Sequence, residues 1–103
     1  MIQLHIESTT KTQCQDILNY LLEESLIIEG EIRESEMVRK LESGQMVAGK
    51  KYHLSSITRA IVFDEIQKKV TDKFGVEPMI YAFPLTHMES DWAGEIRKRV
   101  KAN

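Results

Sequence analysis

Three histidines (His5, His53 and His87), one cysteine (Cys14) and one tryptophan (Trp92) are the side chains here best suited to chemistry. Neutral imidazole is a common metal ligand, and a hard or borderline cation at His87 would find the carboxylates of Glu89 and Asp91 nearby in sequence. No two histidines have the spacing of a ligand pair on one helix or strand. His5 and His53 fall at the solvent-facing phase of alternating strands and read as ordinary surface residues. His87, just past the last expected strand, is the better metal candidate, with His53 second. Cys14 stands in the first turn of the first expected helix, where the helix dipole lowers a thiol pKa. The plainer reading is a partly buried small residue, and no histidine in that helix completes a nucleophilic pair. The run Arg97, Lys98, Arg99 and Lys101 suits an anion or an acidic membrane. It suits the C-terminus of its own helix better. Trp92 is either a pocket wall or, with Ile96 and Val100, part of a docking face. The five glycines are scattered, so no phosphate-cradling loop is present.

Composition narrows the classes. The chain has 103 residues, 42% hydrophobic and 29% charged, as an ordinary globular domain does. A net charge of −2 lacks the basic footprint of a dedicated nucleic-acid binder. No apolar run approaches the roughly 20 residues of a membrane span, and Met1-Ile2-Gln3 leads straight into a strand pattern. A lone cysteine cannot form an intramolecular disulfide and suits a reducing compartment, so a cytoplasmic location is expected.

The elements that position these residues follow from periodicity. Ile2, Leu4 and Ile6 alternate with polar residues as a half-buried strand does. Thr12 and Gln15 have capping-box spacing, and Ile17, Leu18, Leu21, Leu22 and Leu26 form a helical stripe, predicting a helix over about 13–26. Residues 28–40 and 45–58 form the arms of a long hairpin turning at Glu42-Ser43-Gly44. Gly49 suggests a bulge, and a helix over 34–41 is the rival reading. Val62, Phe63, Ile66, Val70 and Phe74 form a second helical stripe, with Gly75 at its C-cap. Met79–Leu85 reads as the last strand, and acids before bases from Asp91 to Lys101 mark a terminal helix. The order defines an α+β, ferredoxin-like β-α-β-β-α-β sandwich with an additional C-terminal helix. Pro84 puts the last strand at a sheet edge. That strand is apolar on both faces, so a second subunit is expected to cover one of them.

Four stretches, "LLEESLIIEGEI", "GQMVAGKKYHLSSITR", "FDEIQKKVTDKFGVEPMIYAFPL" and "DWAGEI", resemble the CutA-like divalent-cation tolerance family in pattern and spacing. The resemblance implies one ferredoxin-like domain over residues 1–103. It further implies a homotrimer without enzymatic activity and a metal ion such as copper or zinc, or a small molecule, in clefts between subunits. The chain resembles a divergent member. Glu29 stands where the family usually has a cysteine, "VRKLESG" replaces a tryptophan-rich turn approach, and Lys73, Phe74 and Gly75 replace its His-Pro-Tyr. The alternative is a nucleotide- or metabolite-binding signalling protein of the nitrogen-regulatory trimer type, with Lys50, Lys51 and Arg59 around phosphate. A third reading, an acylphosphatase-like hydrolase, needs an arginine-lined cradle and an amide. Asn19 and Asn103 supply the amide poorly.

Overall fold

The structure, a computed structural model, describes residues 1–101. Strand β1 (Ile2–Ser8) leads to helix α1 (Lys11–Glu23), then β2 (Glu31–Lys40) and β3 (Met46–Thr58). A short 3-10 turn (Ala60–Val62) enters α2 (Phe63–Phe74), followed by β4 (Met79–Pro84) and α3 (Ser90–Arg99). The four strands form one antiparallel sheet in the order β2-β3-β1-β4. The expected fold is present, and β4 lies at an edge as Pro84 suggested.

Alternation in β1 sets the two sides of the sheet. Ile2, Leu4 and Ile6 are buried beneath the helices, whereas Gln3, His5 and Glu7 face the other way. Ile17 and Leu21 of α1, Ile66 and Val70 of α2 and Leu54 of β3 complete the core. Burying each such side chain stabilises the fold by roughly 1.5–3 kcal/mol. Two buried or nearly buried hydroxyls secure the segment between α1 and β2. Thr58 Oγ1 donates to the Leu26 carbonyl at 2.7 Å, and Ser56 Oγ to the Glu29 carbonyl at 2.6 Å.

Several local expectations are corrected. The cap of α1 is Thr10, not Thr12: the Thr10 hydroxyl accepts from the Gln13 N–H at 3.3 Å. The Gln13 amide is taken by the Ser8 hydroxyl, so no reciprocal box forms. Helix α1 ends at Glu23, short of Leu26, because Ser25 turns left-handed at φ 58°. There the Leu26 N–H bonds the Leu21 carbonyl and the Ser25 N–H the Leu22 carbonyl, a Schellman ending. Residues 34–41 do not form the rival helix. Gly49 makes no bulge either: it pairs with Met37 in unbroken register, and a side chain there would meet open space.

The β2–β3 hairpin outruns the sheet. β1 stops at Ser8 opposite Tyr52, so Ser35–Lys40 and Met46–Lys51 continue as a two-stranded arm. Its tip is closed by Gly44 at φ 91°, whose N–H bonds the Leu41 carbonyl. The chain measures 48 × 29 × 20 Å, with a radius of gyration of 14.9 Å. A compact domain of this length has a radius near 13 Å. Helix α3 buries Ala93 and Ile96, and Val100 just past its end, against its own chain, while Trp92 stays half exposed, so the buried stripe is not the expected Trp92, Ile96, Val100 face. Among the described residues, no helix is long and apolar enough to cross a membrane.

Candidate functional site

The sheet face away from the helices holds the main cluster of interacting polar side chains. Strand register brings Glu7 of β1 beside Met79 of β4 and His53 of β3, and His53 beside Arg33 of β2. Around Glu7, the Tyr81 hydroxyl donates to Oε2 at 2.6 Å and Lys51 Nζ donates to Oε1 at 3.0 Å. His53 Nδ1 lies 3.6 Å from Oε2, and its Nε2 is 2.7 Å from the Ser35 hydroxyl. The Glu7 side chain keeps only 12% of its exposure. The Tyr81 hydrogen bond lowers its pKa most; burial opposes this, and Lys51 adds to it. The same bond and burial push Tyr81 up to about 12. Beside the network, His5 stacks on Tyr81 with centroids 5.0 Å apart, and Phe83 meets both rings edge-on. A small cavity of about 70 Å³ opens past Glu7 and Lys51 toward Arg39 and Glu77.

His53 and His5 lie on this open face, as expected, but neither is a free surface side chain. His87 is exposed between β4 and α3. Among the described residues, no group of three or more His, Cys, Asp or Glu side chains is placed to hold a metal ion. Cys14 is fully buried, and burial raises its pKa to about 11, which overturns the thiolate reading. Lys50, Lys51 and Arg59 do not converge. Neighbours on a strand point to opposite faces; Lys50 pairs with Glu34 at 2.8 Å, Lys51 with Glu7, and Arg59 donates to the Val100 carbonyl at 3.5 Å. Arg97, Lys98 and Arg99 occupy the last turn of α3, where they complement its dipole. Asn19 borders a hollow with Asp16, Glu23 and Lys73 but no arginine, and Asn103 lies outside the described residues.

Glu7, Tyr81 and Ser35 escaped the sequence reading. Each stands at the outward phase of its strand, but their meeting depends on pairing across residues 7, 35, 53 and 81, which no local pattern encodes. Glu89 was also missed as the cap of α3. Its carboxylate accepts from the N–H groups of Asp91 and Trp92 at 2.9 and 3.0 Å.

This arrangement defines a ferredoxin-like α+β domain with an open, partly polar sheet face and a projecting arm. No protein-family model matches the chain, and no curated protein matches it. Solved structures do. CutA of Pyrococcus horikoshii, crystallised with guanidine hydrochloride, superposes with a TM-score of 0.87 at 19% identity, covering 98% of this chain and 100% of that one. The periplasmic divalent cation tolerance protein CutA of Archaeoglobus fulgidus gives 0.84 at 21% identity, over 98% and 100%. CutA1 of Oryza sativa gives 0.85 at 16%, over 99% and 94%. Likeness at such identities establishes the shared fold.

Proposed function

We propose that this chain is a non-enzymatic, cytoplasmic protein of the CutA-like divalent-cation tolerance kind. It assembles as a homotrimer and holds a small ligand or metal ion in clefts between subunits. The observation carrying this reading is the unsupported arm. A two-stranded ribbon is marginally stable in water, and this one exposes Val38, Met46 and Val47. Met79 and Phe83 on the edge strand are also exposed, so apolar residues on both strand systems need cover. A second copy laid against arm and edge supplies that cover and extends the sheet by backbone hydrogen bonds. The superposition on CutA proteins over nearly the whole chain supports the same reading. Among the described residues no three His, Cys, Asp or Glu side chains gather in one chain, which favours a metal site built from donors of two subunits.

Light scattering on the purified protein tests the assembly. Three times the chain mass of 11.9 kDa is expected, and a stable monomer would sink the proposal. Calorimetry with copper, zinc and ATP then separates metal binding from the nucleotide-binding alternative.

A further inference from the structure

A hollow of about 210 Å³ opens beside Trp92, walled by Ile28, Ile57, Met88 and Ile96 and bordered by Glu29. A polar hollow of about 370 Å³ adjoins it through the shared Glu29 and Ile57, with Gln3, Glu31 and Ser55 in its lining. Trp92 also borders a third hollow, of about 300 Å³, with Glu89, Asp91 and Glu95. No lysine, arginine or histidine lines any of the three. The indole thus stands at an apolar cleft whose charged lining residues are all acidic.

The carboxylates there are not equivalent. Glu89 is committed to capping α3, and Glu31 accepts from Arg33 and Ser55. The Glu29 and Glu95 carboxylates have no hydrogen bond or ion pair among the described residues, and of these two only Glu29, whose backbone carbonyl accepts from Ser56, borders the apolar hollow. It stands where the apolar and polar hollows meet.

We propose that this cleft binds organic cations with an apolar body, of the arylalkyl- or alkylammonium class. The apolar body lies against Trp92, Met88 and Ile57, and the ammonium head meets the Glu29 carboxylate. The indole and the thioether of Met88 suit an aromatic or alkyl body, and a free carboxylate makes charge-assisted hydrogen bonds to ammonium. A carboxylate ligand of the same shape would meet like charge, and a neutral one would leave Glu29 unanswered. For a bare divalent metal ion, no group of three His, Cys, Asp or Glu side chains gathers there among the described residues. Every residue invoked belongs to one chain, so the site does not depend on the trimer.

Trp92 is the only tryptophan, so its emission reports binding at the hollows it borders, and the Glu29→Gln variant assigns the signal to this cleft. The unmodified protein is titrated at low salt with phenethylammonium, phenethyl alcohol and 3-phenylpropionate. The ammonium is expected to give a saturable change at a half-point about fivefold or more below either comparator. Glu29→Gln is expected to remove that advantage and leave the response to the alcohol unchanged. Equal half-points for the three compounds, no saturable response to the ammonium, or undiminished ammonium binding by Glu29→Gln would each overturn the proposal. The three-compound comparison decides even where the variant does not fold. Light scattering on the same sample keeps the two proposals separate, because an ammonium-binding monomer would refute only the assembly.

Discussion

Protonating Glu7 removes the negative charge that Tyr81, Lys51 and His53 all face. Its pKa is held below the ordinary 4.5, chiefly by the Tyr81 hydroxyl, so it stabilises the fold above that value. This contribution is lost as pH falls through the depressed folded value. Tyr81 works in the opposite sense. Its pKa is raised from 10.0 to about 12, so its contribution is complete below 10 and is lost as pH rises toward 12. Burial likewise raises the Cys14 thiol from 9.0 to about 11, so stability to urea, measured at fixed protein concentration, should hold between about pH 5 and 9 and decline on both sides. Glu7→Gln should cost about 2 kcal/mol at pH 7, the scale of a hydrogen bond to a charged group, and weaken the acid-side decline. Unchanged stability in this variant would mean that the network is solvated and idle.

Ser25 shows at the level of one helix what was hard to see in the sequence. A left-handed residue other than glycine is strained by roughly 1–2 kcal/mol, and Ser25 holds φ 58° at the end of α1. Ser25→Gly should raise stability by about 0.5–1 kcal/mol, after the greater freedom of glycine in the unfolded chain is set against the relief. Thermal unfolding at matched concentration would register a rise of a few degrees, and a lowered midpoint would refute the strain. The element order, the edge position of β4 and the Gly75 cap were legible because strong periodicity or a conformationally demanding glycine marked them. The end of α1 was not, because serine fills a glycine position and the apolar stripe runs on into Leu26. Gly49 misled for the converse reason: it sits in regular, exposed strand where any side chain would fit. Of the site, only the outward phase of His5 and His53 could be read. Glu7 and Tyr81 meet through long-range register, and the Trp92 cleft forms only when α3 folds back over Ile28 and Ile57.

The projecting arm governs the behaviour of the molecule as a whole. On the proposed assembly, Val38 (72% exposed in the single chain) becomes buried against a neighbour. Val38→Lys should then shift light scattering on dilution from the trimer toward 11.9 kDa, whereas a solvated arm would tolerate the change within about 0.5 kcal/mol. The outer margin of β4 has a further consequence. Its Met79–Phe83 stretch ends one side of the sheet, and only Pro84 interrupts its row of backbone donors. An unpaired margin of this sort templates growth with any other extended chain. On the proposed assembly, dissociating the subunits should therefore yield fibrils or precipitate more readily than a well-behaved monomer, and quaternary closure would protect solubility as well as complete the clefts.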